Sequence, residues 1–337
     1  MQIYKKIAIF VGFKEKMMKK TIFYVILLLI AFQAISCKKK DDTTTTPSLL
    51  GLDIDGEYDN FMGENSDIWV QADVEDLYVS NGSKLPEKIG IYFTVSSNIG
   101  VRDTVTRDVD ASNPRHYIHL GEAGNYTIQC FAYGGESVYN ASASIAITVV
   151  NPETALTGLP EDLPTVEIGG NTFRTTTVEG KTWMANNLYG TESGRDYQKA
   201  EILTSLFGKY YTWTEAQTAC PEGWHLPTAA EFDEGLDLLD PGSLMVDASF
   251  VNVKMWSYWP QVTISNRTKF CAIPVGYLDL NKEEAPEQAY KKYACFWTQD
   301  QVGDRGVFRS IFEQGEVVQK SLGDKNTLAL SVRCVKD

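Results

Sequence analysis

The chain has 337 residues, a length that suits about two domains, and its 43% hydrophobic and 22% charged content is that of a soluble globular protein. A net charge of −13 excludes a nucleic-acid partner, which needs a basic footprint. It equally excludes adhesion to an anionic membrane by charge alone.

The first segment does not belong to the fold. From Met18, "MKKTIFYVILLLIAFQAISCKKKDD" gives a short basic start, an apolar run from Ile22 to Phe32, and small residues before Cys37. Residues 1–36 therefore read as a lipoprotein signal peptide, with Met18 the cleaner start. The run is too short and wrongly flanked for an ordinary membrane-spanning helix. Cleavage before Cys37 would leave a thioether-linked lipid on its sulfur, and several acyl chains on one residue give stable anchoring. Residues 37–47, "CKKKDDTTTTP", are polar and unpatterned, hence a flexible tether. They resemble the Lys-Asp-Asp export signal of Bacteroidetes-type surface lipoproteins, which implies the outer face of the outer membrane. The six Lys and one Glu of residues 1–36 leave with the signal, so the net charge falls from −13 to −18. Lipid, not charge, must then hold the protein to its membrane.

Residues 48–152 carry short alternating runs: "SDIWVQADV", "KIGIYFTVSS", "VRDTVTRDV", "RHYIHL", "GNYTIQCFAY" and "SASIAITVV". Alternation marks strands buried on one face, and Gly- and Asn-rich turns separate them. Six or seven strands in about 100 residues predict an all-β immunoglobulin-like sandwich. Tyr126 is placed for a corner hydrogen bond. Cys130, alone in this domain, reads as a buried free thiol. His116 and His119 lie three apart, on opposite faces of a strand, so they cannot chelate one metal. "LDIDGEYDNFMGENSD" lacks the EF-hand ligand spacing and reads as a solvated acidic face or turn. Residues 153–162, between prolines, read as a linker.

Residues 163–337 open with a hairpin turning at Gly169-Gly170, then a Gly180 turn into "KTWMANNL". Thr212 with Glu215, and Thr228 with Glu231, have capping-box spacing. They predict a helix over 213–219 and a second with Phe232, Leu236 and Leu239 on one face, stopped at 240–242. Glu222 falls in a solvated Pro-Glu-Gly turn. "KFCAIPVGYLDL", "YACFWTQD", "GVFRSIFEQGEVVQKS" and "LALSVRCVKD" are the later strands.

The ordered series "KTWMANNL", "YYTWTEA", "CPEGWHLPTAAEF", "FCAIPVGY", "CFWT" and "SVRCVKD" resembles the Fibrobacter succinogenes major paralogous domain over residues 166–337. Two departures are Cys271, where the family has a small residue, and "WTQD" in place of Trp-Ser-Ser-Thr. The resemblance implies an α+β fold of the C-type-lectin-like and sulfatase-modifying-factor group. It also implies a disulfide between Cys220 and Cys334. A loop of that length is worth about 4–5 kcal/mol in the chain-entropy model. Cys271 and Cys295 form either a second bridge or a pair of core thiols.

With Cys220 bridged, "CPEGWHLPTAAEF" has no thiolate to offer, and a zinc site lacks convergent ligands. The stretch reads as a structural buckle: Trp224 and Leu226 fill core, and His225 is a hydrogen-bonded structural residue. Neither a catalytic residue, a metal site nor a cofactor is expected. The leading expectation is a non-catalytic surface lipoprotein that binds glycan or protein ligands, with outer-membrane lipid as its other partner. "KMWSYWPQ" supplies the stacking candidates Trp256, Tyr258 and Trp259, the alternative being that these rings pack beneath their loop. A thiol-dependent enzyme using Cys271 and Cys295, or a structural subunit of a surface assembly, are the other readings.

Overall fold

The computed structural model describes residues 47–87, 89–109, 115–133, 140–236, 240–256, 262–283 and 286–337. The signal segment, Cys37, the tether to residue 46, Leu239, Tyr258 and Trp259 lie outside the described residues. Among the described residues no helix is long and apolar enough to cross a membrane.

The alternating runs of the first module form two sheets. Strands β1 (Asp53–Glu57), β3 (Ser66–Asp73) and β6 (His116–Leu120) make one, in the order β1-β3-β6. The other holds β2 (Phe61–Gly63), β4 (Ile89–Ser97), β5 (Arg102–Val109), β7 (Gly124–Tyr133) and β8 (Asn140–Val150). Its order is β2-β8-β7-β4-β5. Every pairing is antiparallel except β2 with β8, which is parallel. The inward residues of both sheets share one core, including Ile68, Val70, Phe93, Leu120, Ile128 and Val149. Strand β6 alternates strictly: His116 is buried and packs on Phe93, while His119 faces out and bonds Asp67 at 2.8 Å. Tyr126 donates its hydroxyl hydrogen to the Glu122 carbonyl at 2.9 Å, tying the turn before β7 to the strand. Cys130 is buried and free. The acidic stretch "LDIDGEYDNFMGENSD" presents a solvated acidic face, carried on strands. It contributes β1 and β2, with Ile54 turned into the core and Asp53 and Asp55 turned out.

Residues 153–162 are not a free linker. A turn on Asn151 buries Ala155, Leu156–Thr157 pairs with Ser249–Phe250, and Leu163 enters the next core. Phe61 of the sandwich completes the seam. Its ring meets Tyr197 at 5.9 Å and Phe250 at 6.3 Å, in a cluster that also holds Val150 and Phe207. Residues 47–337 accordingly form one compact unit.

The second module is mostly β. The hairpin β9 (Thr165–Ile168) and β10 (Asn171–Val178) leads to β11 (Lys181–Met184). The capping boxes at Thr212 and Thr228 both form, opening α1 (Trp213–Ala216) and α2 (Ala229–Gly235). α1 is shorter than expected; past Ala216 the chain continues in tighter i→i+3 turns to reach Cys220. Strand β12 (Trp224–His225) and the terminal β18 (Val335–Lys336) close a five-stranded sheet in the order β9-β10-β11-β18-β12. Strands β14 (Tyr293–Val302), β15 (Arg305–Phe312) and β16 (Gln319–Asp324) form a meander. β13 (Tyr277–Asp279) and β17 (Leu328–Leu330) belong to a further four-stranded sheet. The helical share is smaller than an α+β fold implies, with no described α-helix longer than the seven residues of α2.

One expected strand is absent. "KFCAIPVG" is buried but irregular, because Pro274 has no N–H to donate and Cys271 sits at a φ of 56°.

The shared seam makes the two modules one folding unit. Calorimetry should show a single transition. Phe61→Ala, which empties a half-buried ring site, should cost about 2 kcal/mol and begin to separate sandwich from C-terminal melting.

Candidate functional site

The C-terminal strand sets the site. "SVRCVKD" places Arg333, Cys334 and Val335 in one extended run through the middle of the module. Cys334 is bonded to Cys220, with Cα atoms 5.9 Å apart. Val335 pairs with Trp183 on one side and His225 on the other. Arg333 is 1% exposed. Its Nε donates to the Asn187 side-chain oxygen at 2.7 Å, and its terminal nitrogens donate to the carbonyls of Met184, Phe270 and Cys271. The guanidinium thus satisfies carbonyls that the irregular "KFCAIP" segment leaves without a ladder partner.

"CPEGWHLPTAAEF" is a buckle in the structure as well. Glu222 is exposed, Leu226 is buried and Trp224 packs on the core. His225 lies between carboxylates, its Nδ1 2.6 Å from Asp337 and its Nε2 3.1 Å from Glu231. Glu231 also receives the Thr228 amide and the Lys181 ammonium. Burial pushes the Glu231 carboxyl up, but the hydrogen bonds from Lys181, Thr228 and His225 outweigh it and bring it down to about 2.

The remaining cysteines are not bridged. Cys271 and Cys295 are free thiols lining separate cavities. The second disulfide therefore does not form. Burial pushes the Cys295 thiol up to about 12. Burial also raises Cys271, with Asn266 and nearby Arg333, Arg174 and Lys269 pulling the other way.

Trp256 is not a surface stacking group. It is 2% exposed, packs with Trp183 and Phe270, and donates its indole hydrogen to the Ala272 carbonyl at 3.1 Å. The alternative of a ring packed beneath its loop holds for this residue, because its indole N–H finds a buried acceptor.

A different surface offers a binding site. A groove of about 440 Å³ runs between the β14–β15–β16 meander and the β13–β17 pair. The register sets Cys295 opposite Ser310, and with Ser321 on β16 these small side chains form its floor. Gly323 extends that floor: a Cβ there would come within 2.5 Å of Leu328 and 2.7 Å of Trp297. Tyr277, Tyr293 and Phe308 form aromatic walls, Tyr293 stacked on Phe312 at 4.7 Å and Phe308 edge-on to Trp297 at 5.5 Å. Asp279, Arg305, Gln319 and Asp324 supply a polar rim. The backbone N–H groups of Asn326 and Thr327 hold the Asp324 carboxyl below its ordinary value. An aromatic-walled, polar-rimmed trough on rigid strands can stack a flat apolar ring face and bond hydroxyls around its edge.

Sequence reading missed this groove because "CFWT" reads as buried on both sides. Only the alternation of 293 and 295 against 308 and 310 hinted at a common face. Among the described residues no group of His, Cys, Asp and Glu is arranged to hold a metal ion.

Residues 175–336 match the model of the Fibrobacter succinogenes major domain family. That is a little under half of the chain, and it spans the capped helices, the disulfide and the groove. No curated protein matches the chain. Among solved structures, the chain is similar to the CARDB domain of a Pyrococcus furiosus protein crystallised with two metal ions. Identity is 17%, over 34% of this chain and 100% of that one, with a TM-score of 0.20. It is also similar to a family 76 glycoside hydrolase from a bovine Bacteroides thetaiotaomicron strain. There identity is 12%, over 51% of this chain and 32% of that one, with a TM-score of 0.22. Likenesses that low carry no functional argument.

Glu231 yields a pH prediction. Its folded value lies below its unfolded one, so its contribution is present above about pH 4.5. That contribution is lost as pH falls toward 2. Glu231→Gln should melt lower at pH 7 and show a flatter loss of stability between pH 4.5 and 2, read by thermal melts across that range.

Proposed function

We propose that this chain is a non-catalytic, lipid-anchored protein of the outer-membrane surface that binds saccharide in the groove walled by Tyr277, Tyr293 and Phe308. The supporting observation is the groove itself: ring walls, a floor of small side chains and a rim of hydrogen-bonding groups. Sugars present an apolar face and a belt of hydroxyls, which is the chemistry those two kinds of lining complement. Cys37 would carry the anchor, residues 37–47 the tether, and an immunoglobulin-like sandwich the spacer beneath a lectin-like tip. The sandwich would hold the tip rigidly, since the Phe61 seam fuses the two.

A thiol-dependent enzyme finds less support. Its two candidate cysteines line different cavities, and burial keeps both in the neutral thiol form at neutral pH. A structural role in a surface assembly would use the same anchor and rigid body without the groove.

Glycan-array screening followed by calorimetric titration tests the reading. Saturable saccharide binding should fall about tenfold in Tyr277→Ala and also weaken in Arg305→Ala. Absence of any saccharide ligand, or binding indifferent to both substitutions, would move the function away from the groove.

A further inference from the structure

A second cavity lies where residues 152–159 fold against the module, and its charge is out of balance. It encloses about 230 Å³ and is lined by Arg174, Arg333, Asn186, Tyr189 and Cys271. That is below the usual range of about 300–1,000 Å³ for drug-sized ligands, so its occupant is small.

Arg333 reaches it from the core. Every partner of this buried guanidinium among the described residues is neutral: an asparagine oxygen and backbone carbonyls. Burial without a counter-ion lowers its proton affinity, to a value of about 9. Arg174 is half-buried on β10. Its backbone N–H is held by the Asn186 side-chain oxygen at 2.6 Å. Its guanidinium, however, makes no ion pair and no hydrogen bond among the described residues. In a chain with 44 acidic and 31 basic side chains, a half-buried arginine without a carboxylate partner is unexpected. Glu153 lines the cavity too, yet pairs with neither guanidinium among the described residues. With its oxygen engaged by Arg174, the Asn186 amide has its –NH2 left to donate. Tyr189 gives its hydroxyl hydrogen to the Thr172 carbonyl at 2.8 Å.

The geometry points to an oxyanion site: Arg174, with Asn186 beside it and the charge of Arg333 behind it, binds the carboxylate, sulfate or phosphate group of a small ligand. The planar guanidinium fork is the side chain best suited to bidentate contact with such a group. Two cations sharing one cavity are stabilised by an anion between them, as the protein supplies none in contact. This site is independent of the saccharide groove, which has no lining residue in common with it.

The test is calorimetric titration of the full chain in detergent at low ionic strength with sodium acetate, sulfate and phosphate in separate arms. At least one should bind saturably at one site per chain, and the arms identify which oxyanion shape the cavity prefers. Arg174→Gln should weaken that binding tenfold or more. Arg174→Lys, which keeps the charge but not the fork, should fall between. Tyr277→Ala, in the other groove, should leave it unchanged. The inference fails if no anion binds saturably, if Arg174→Lys and Arg174→Gln both bind as the parent does, or if Tyr277→Ala removes the binding.

Discussion

The second module is organised around a buried cation. Arg333 occupies the centre of a β-rich body whose middle segment, 270–275, is too irregular to satisfy its own carbonyls by strand pairing. One guanidinium supplies the missing donors to Met184, Phe270, Cys271 and Asn187, and so joins the hairpin end, the irregular segment and the last strand at one point. Phe270 and Phe296 lie against its plane, with centroids 4.7 and 5.4 Å away. The ring faces offset part of the cost of burying the charge. The neighbouring Cys334 is then in place for its bridge to Cys220, and Val335 for its pairings with β11 and β12. A three-residue stretch thus supplies the hydrogen-bonding centre, the covalent staple and an interior strand of a sheet.

Both cavities belong to this module. The space between β14–β16 and β13–β17 is a trough floored by small side chains. Arg333 also lines the smaller cavity and brings positive charge to it. The sandwich contributes stiffness. Its Phe61 and Val150 complete a core that belongs mostly to the second module, so the two modules are joined by packing.

Much of this was legible in the sequence, for identifiable reasons. Strict alternation in "RHYIHL" and "GNYTIQCFAY" fixes which side of each strand is buried, and it placed His116 and His119 on opposite faces correctly. Thr-x-x-Glu spacing located both helix starts to the residue, since each box is local chemistry. The disulfide followed from resemblance rather than from spacing. What the sequence could not convey is three-dimensional convergence. Trp256 in an aromatic stretch reads either as a stacking group or as a ring packed beneath its loop, and only Ala272, sixteen residues on, decides for packing by accepting its indole hydrogen. "KFCAIPVG" looks like a strand because burial and β-propensity agree there, while the positive φ at Cys271 and the distant Arg333 that make an irregular path tolerable leave no local mark. The groove walls come from separate strands that meet only in the folded structure.

Amide hydrogen exchange on Arg333→Met most directly tests whether this cation organises the module. The substitution keeps apolar bulk but removes every donor. Protection should fall first in peptides covering 184–188 and 270–276 and in the terminal strand, while the sandwich strands 89–97 and 124–133 remain protected. Exchange in those C-terminal peptides indistinguishable from the parent would contradict the account and assign the organising role to the Cys220–Cys334 bridge instead.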